Sequence, residues 1–116
     1  MLVPSKIAIV TIATINSNSL QIDTTLRQKT IGTKALIDSG ATDDFMDAEF
    51  AIKHRLPLNK LETPITCKNV DGTISNGGKI THYTYQRIEA GGRNAICKFL
   101  ITGLGGEDIL LGCPWL

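Results

Sequence analysis

The feature that most constrains this chain is a short apolar run that leads directly into an acid, a hydroxyl and a glycine. Ala35 to Ile37 are apolar, and Asp38, Ser39 and Gly40 follow at once. Such a run predicts a buried strand that ends at a turn, because glycine lets the backbone change direction sharply. We therefore expect Asp38 to lie where a core strand meets a loop, a position in which burial can tune a carboxyl group.

The simplest interpretation of a bare Asp-Ser-Gly is an Asx-turn, in which the Asp38 side chain caps its own loop. The residues on either side favour a functional interpretation. The segment Leu36 to Thr42, followed by Phe45, resembles the active-site strand of the retropepsins, and it is most similar to the protease of gypsy-type LTR retrotransposons.

Two further segments carry the same resemblance. Residues 108–116 are similar to the apolar-apolar-glycine strand that closes the retropepsin domain, with Leu110, Leu111 and Gly112 at its centre and a trailing Trp-Leu. Residues 69–73 are similar to the flap hairpin, whose tip would consist of Val70, Asp71, Gly72 and Thr73. The Asp-Gly pair in that tip also suits the positive φ angles of a type I′ turn.

The resemblance implies a fold class and domain boundaries. It implies an all-β domain, a retropepsin-like closed barrel that corresponds to one half of an acid protease, with one short helix, and acting as a homodimer. The protease domain would cover residues 20–116, and residues 1–19 would be an N-terminal extension or a first strand.

Local patterns agree with such a domain. Three segments have the alternation or the β-forming residues of strands, namely 20–26, 79–85 and 96–101. A helix is predicted over 47–55, with Asp47 as its N-cap and Pro57 just beyond its end. Residues 103–106 are glycine-rich but no Lys-Ser/Thr follows, so we expect a turn there rather than a phosphate-binding loop.

The chemistry of amide hydrolysis explains why a single Asp-Ser-Gly implies two chains. One group must take a proton from water while another gives a proton to the tetrahedral species. Two adjacent carboxyl groups can do both, because they cannot both ionise and so share one proton. The chain has one Asp-Ser/Thr-Gly, since residues 71–73 have the wrong order and residues 23–25 lack the glycine. The second carboxyl group must come from a second copy, and a C2 homodimer would place both Asp38 side chains at its axis.

The resemblance also implies roles for the neighbours of the catalytic acid. The Ser39 hydroxyl would form a hydrogen bond across the dimer axis as a brace, not as a nucleophile, since no Gly-x-Ser-x-Gly surrounds it. The backbone of Gly40 would lie close to the carboxyl pair, and Ala41 and Thr42 would complete the active-site loop. The flap tip would close over an extended peptide substrate, and residues 110–112 would pass beneath the loop as core.

Two departures from the resembled pattern lie beside this site. Asp43 and Asp44 form an acidic pair, which we expect to raise the apparent pKa of the carboxyl pair or to disturb a subsite. Thr42 and Cys113 occupy positions where viral members carry an Asp and an Arg that pair with each other. Both are uncharged here, so that ion pair is absent.

Charge and hydropathy narrow the class of partner. The chain has 12 Lys and Arg against 11 Asp and Glu, a net charge of +1, and no basic run interleaved with aromatic residues. Nucleic acid is therefore not an expected partner of this domain. The longest apolar stretch, residues 7–15, is too short for a membrane span and lacks the features of a signal peptide. We expect no membrane partner and an intracellular location, in the cytoplasm or within retroelement particles.

The cysteines and histidines are too few and too scattered for a disulfide framework or a zinc site. Cys67, Cys97 and Cys113 are expected to be reduced and buried as small apolar residues. His54 and His82 are isolated, and no zinc-type spacing occurs. A cysteine protease would need a Cys-His pair assembled by the fold, and no local pattern indicates one. We expect neither a metal nor a cofactor.

Two hypotheses of different classes follow. The first is an aspartic endopeptidase that cuts extended polypeptide, in a retroelement its own polyprotein. The second is a catalytically inactive retropepsin-like domain that serves as a dimerisation or peptide-binding module. An intact Asp38-Ser39-Gly40 favours the first. A β-domain unrelated to proteolysis would leave both terminal motifs unexplained.

Overall fold

The computed structural model describes residues 9–12, 20–69 and 74–116, which form strands and one short helix. In chain order the elements are β1 Ile9–Ile12, β2 Leu20–Leu26, β3 Ile31–Ile37, β4 Asp44–Asp47, α1 Ala48–Lys53, β5 Asn59–Asn69, β6 Ile74–Ala90, β7 Arg93–Thr102 and β8 Ile109–Leu111.

Six of these strands close into a barrel. Around the ring the order is β6, β2, β3, β8, β4 and β7, and β7 pairs again with β6. The closing pair is long and antiparallel, from Tyr83 opposite Leu100 to Ala90 opposite Arg93. The other half of β6 pairs with β5, and β1 lies parallel to β5 at the outer edge. The expected all-β barrel with one short helix is therefore confirmed.

The apolar run before Asp38 is buried on both faces. β3 and β8 run parallel, with Leu36 opposite Leu110 and Ile37 opposite Leu111. One face of this pair belongs to an apolar cluster with Ala35 and Leu111, and the other belongs to a second cluster with Leu36 and Leu110. An unbroken apolar sequence is what a parallel strand pair covered on both faces requires.

The helix forms where its capping signals predict. Asp47 has extended backbone angles, φ −65 and ψ 134, and its side chain accepts a hydrogen bond from the Phe50 N–H at 3.2 Å. The helix ends at Lys53, and Lys29 Nζ donates to the backbone carbonyls of His54 and Arg55, which lie just past that end. A cation there satisfies carbonyls that have no partner within the helix. The helix prediction is confirmed.

The three predicted strand segments are confirmed, and two are longer than expected. Residues 79–85 form part of the 17-residue β6, and residues 96–101 form part of the 10-residue β7. Inside the barrel β6 carries the buried polar residues Thr84 and Gln86, whose side chains bond to each other at 3.0 Å. These polar positions break the apolar alternation that marks a strand in sequence.

The cysteine prediction is correct for two of three residues. Cys67 and Cys97 are buried, but Cys113 is exposed. The prediction is wrong for Cys113 because the chain leaves β8 at Gly112 and turns at the surface. In that turn the N–H groups of Trp115 and Leu116 both bond to the Gly112 carbonyl.

Candidate active site

Asp38 lies immediately after β3, and its backbone and side chain both fix the loop that follows. Its N–H donates to the Leu111 carbonyl at 3.0 Å, and its carbonyl accepts from the Ala41 N–H at 3.1 Å. The carboxylate Oδ1 accepts the Gly40 N–H at 2.9 Å. The residue is 9% exposed. The side-chain bond of an Asx-turn, from the Gly40 N–H to Asp38, is thus present. It orients the Asp38 carboxyl group at the end of the buried strand β3.

The loop rests on the segment that follows β8. A Cβ added at Gly112 would lie 2.3 Å from the Asp43 carbonyl oxygen and 2.7 Å from the Ala41 carbonyl oxygen. The Cys113 N–H donates to that same Ala41 carbonyl at 3.0 Å. Only glycine permits this approach, so Gly112 lies directly against the loop that follows Asp38.

The other loop residues divide into exposed and buried positions. Ser39, Gly40 and Thr42 are exposed, whereas Ala41 is fully buried. The Ser39 carbonyl accepts a weak bond from the Cys113 thiol at 3.6 Å. The Thr42 hydroxyl donates to Asp43 Oδ2 at 2.9 Å. The exposed face of the loop is therefore the side that carries the Ser39 side chain and the Gly40 backbone.

Asp44 is the site residue whose position the sequence did not predict. Its side chain is 2% exposed, and Oδ1 accepts the Gly112 N–H at 2.8 Å. Burial, with a smaller contribution from the charge of Asp43, raises the pKa of this carboxyl group to about 6, although the backbone bonds from Gly112 and Trp115 and the charge of Arg93 act in the opposite direction. The sequence signal that could have indicated its burial is the position of this acid at the start of the apolar strand β4.

The β5–β6 hairpin contributes to the apolar cluster that contains part of the loop. Its Cys67 and Ile80 are fully buried in the cluster that contains Ala41 and Phe45. The last described pair of this hairpin is Lys68 opposite Ile74. The predicted flap tip, Val70, Asp71, Gly72 and Thr73, lies outside the described residues, so its role as a lid stays a prediction.

In the described part of the chain, one cavity adjoins the loop and another lies further away. A cavity of about 350 Å³ lies beside Asp43 and Asp44 and is also lined by Arg93, Cys97 and Trp115. The other is larger, about 800 Å³, and is lined by residues of α1 and by Gly32 near the start of β3. No residue of 38–44 lines it. The larger cavity is therefore separate from the candidate site.

The part of the chain that the structure describes has neither a metal-binding cluster nor a membrane-spanning helix. There, no three His, Cys, Asp or Glu side chains lie close enough to hold a metal ion. Within the same ranges, no helix has the length and apolar character needed to cross a membrane.

Comparison with solved structures concerns the fold of this chain. Among solved structures, the retroviral protease-like domain of Ddi1 from Leishmania major is similar, with a TM-score of 0.51 at 17% identity, covering 83% of this chain and 70% of that chain. A protein of unknown function from Legionella pneumophila gives a TM-score of 0.49 at 17% identity, covering 79% of each chain. At such identities the likeness to the Ddi1 domain shows the fold alone.

The family is shown by sequence. A family model described as the PEG10/RTL1 protease domain matches residues 34–116. This match contains the second half of β3, the active-site loop, the barrel strands from β4 onward and the Gly112 segment. The chain therefore belongs to the PEG10/RTL1 protease domain family, which is gypsy-derived and retropepsin-like.

Proposed function

We propose that this domain is an aspartic endopeptidase whose active site forms between two copies of the chain. The observation that carries the proposal is the position of Asp38, whose carboxyl group is held by the Gly40 N–H at the end of a buried strand. The chain supplies one Asp-Ser-Gly, and a carboxyl pair needs two. Retropepsin-like domains generally dimerise and bind peptide, which supports the same arrangement.

The proposed mechanism uses the two Asp38 carboxyl groups as one unit. Close together they hold a single proton, so one takes a proton from a water molecule while the other donates to the carbonyl oxygen of the scissile bond. In this arrangement the exposed Ser39 hydroxyls lie near the axis and brace the two loops. The close packing of Gly112 against the Ala41 and Asp43 carbonyls keeps each loop in place while the charges on the two carboxyl groups change.

The proposed substrate is extended polypeptide, specifically a retroelement polyprotein processed in the cytoplasm or within the element's particles. The β5–β6 hairpin supports this choice, because its Cys67 and Ile80 pack in the same apolar cluster as Ala41 of the active-site loop, which brings a strand pair next to Asp38. Peptides in extended conformation commonly bind beside such strands. Its tip would close over the bound segment and exclude water.

The test compares the wild type with Asp38→Asn, using Asp23→Asn, an exposed aspartate on β2, as the matched control. Asparagine keeps the shape but cannot share the proton, so cleavage of a peptide library should vanish while the fold and the dimer persist. Cleavage products are identified by mass spectrometry, with and without pepstatin, which mimics the tetrahedral species.

Three outcomes separate the hypotheses. Cleavage that persists at a similar rate in Asp38→Asn would refute the aspartic mechanism. An active monomer in sedimentation velocity would refute the shared site, because specific activity must fall as a dimer dissociates on dilution. A stable dimer that cleaves nothing in the library would instead support the inactive dimerisation or peptide-binding module.

A further inference from the structure

Three hydrogen bonds tie the active-site loop to the segment that follows β8. The Asp38 N–H donates to Leu111, the Cys113 N–H donates to Ala41, and the Gly112 N–H donates to Asp44 Oδ1 at 2.8 Å. The first two acceptors are backbone carbonyls. The third is a side-chain carboxyl group, so it is the one tie of these three whose acceptor can gain or lose a proton.

The packing around Gly112 transmits any movement of this tie to the loop. The position of its absent Cβ is 2.3 Å from the Asp43 carbonyl and 2.7 Å from the Ala41 carbonyl. With no free space on that side, Gly112 cannot shift without moving those two carbonyls. Ala41 is bonded in turn to the Asp38 carbonyl at 3.1 Å. The tie and the candidate catalytic residue therefore belong to one closely packed unit.

We propose that Asp44 is a positioning residue for Asp38, and that the protonation state of its carboxyl group sets how firmly the active-site loop is held. An ionised carboxylate accepts a charge-assisted hydrogen bond, which is about twice as strong as a bond to a neutral acceptor. A protonated Asp44 holds Gly112 less firmly, so the loop becomes less ordered. The inference rests on the proposed function, in which Asp38 is catalytic.

The surroundings of Asp44 bring its pKa into the mildly acidic range in which the proposed enzyme works. Burial raises its pKa to about 6, and the groups that face it are Asp43 next to it in sequence and Arg93 and Cys97 from β7. Lys98 of β7 also lines the adjoining cavity of about 350 Å³, which Asp43 and Asp44 border. β8 contributes only apolar side chains. A carboxyl pair that shares one proton works at mildly acidic pH, so Asp44 would change charge within that range.

The test follows backbone amides by NMR in the Asp38→Asn protein, so that the catalytic carboxyl group does not contribute its own titration. Between pH 4 and pH 8, the amide signals of Gly112, Gly40 and Ala41 are expected to shift with one shared midpoint near 6. Adding Asp44→Asn, which keeps an acceptor oxygen but cannot ionise, should abolish that midpoint at all three amides.

The control is Asp43→Asn in the same background. In this variant the three amide signals should still share one midpoint, but at a lower pH. The reason is that the substitution removes a neighbouring negative charge that raises the pKa of Asp44. If the amide signal of Gly112 shifts with this midpoint while those of Gly40 and Ala41 do not, the effect of Asp44 is local and the positioning role is wrong. If none of the three titrates near 6, the tie does not depend on ionisation and the proposal is also wrong.

A second measurement uses cleavage by the otherwise wild-type protein. Asp44→Asn offers the Gly112 N–H a neutral acceptor, as the protonated carboxyl group does, so it should lower kcat above pH 6 and lose the change in the pH profile near 6. Asp44→Val, which has no acceptor, should lower kcat further, by about tenfold to a hundredfold relative to the wild type. Equal kcat in both variants would overturn the proposal. The amide titration needs no substrate, so a protein without cleavage activity refutes the proposed function while the NMR result still decides the role of Asp44.

Discussion

Replacement of Asp44 by Asn tests whether burying this carboxyl group destabilises the fold. The side chain is 2% exposed, and its pKa is raised from 3.8 to about 6. A difference of about two pKa units between unfolded and folded protein corresponds to about 3 kcal/mol, at 1.36 kcal/mol per unit. Asparagine keeps an acceptor for the Gly112 N–H and removes the buried charge.

The direction of the pH dependence follows from proton binding. Below pH 3.8 the carboxyl group is protonated in both states and contributes nothing. Between pH 3.8 and 6 the folded protein holds a proton that the unfolded chain has lost, so the free energy of unfolding falls as pH rises. Above pH 6 the full cost of about 3 kcal/mol is present. The stability of Asp44→Asn relative to wild type should therefore increase by about 2 kcal/mol from pH 4 to pH 7.

The assay is urea unfolding of both proteins at a series of pH values, at one ionic strength and one protein concentration, since dimer formation would make stability depend on concentration. Asp23→Asn controls for the removal of a charge at an exposed position. Parallel stability curves for wild type and Asp44→Asn between pH 4 and pH 7 would refute the argument that burial makes this carboxylate costly.

Three further predictions concern close packing, thiol reactivity and the lid. Gly112→Ala should destabilise the fold by about 2 kcal/mol or more, because the added Cβ would overlap two backbone oxygens. Its control, Gly32→Ala, adds a Cβ that meets nothing within 4 Å and should change stability by less than about 0.5 kcal/mol. Equal unfolding midpoints for the two variants would contradict this prediction. At pH 8, iodoacetamide should modify exposed Cys113 well before Cys97, whose burial raises its thiol pKa to about 11, as peptide mass spectrometry can show; equal rates would contradict the burial. Gly72→Val should lower peptide turnover much more than the melting temperature, and unchanged kinetics would show that this turn is not the lid.

The parts of the fold with local signals were predictable from sequence. The apolar residues before Asp38 indicated a core strand, since a parallel pair covered on both faces excludes polar side chains. The helix after β4 was predictable because Asp47 satisfies an N–H of its first turn and Pro57 follows its end. Each signal involves residues close together in the chain, so the tertiary structure did not have to be known.

Features that depend on distant contacts were not predictable in the same way. The length of β6 was missed because Thr84 and Gln86, which are polar, face the barrel interior and satisfy each other. The orientation of Asp44 was missed because it depends on an N–H 68 residues further along the chain, brought close by the pairing of β4 with β8. From sequence, two adjacent acids indicate only that charge lies near the loop. The fold decides which of them is buried and what it binds.

The two effects assigned to Asp44 have opposite pH dependence, and this makes them separable. Protonation below pH 6 removes the cost of a buried charge, so the contribution of this residue to the free energy of unfolding becomes more favourable. The same protonation weakens the bond to Gly112, so the loop that carries Asp38 becomes less ordered. A general loosening of the domain would move global stability and loop order in the same direction. Acidification that raises the Asp44 contribution to stability while broadening or shifting the Gly40 and Ala41 amides therefore distinguishes positioning from unfolding.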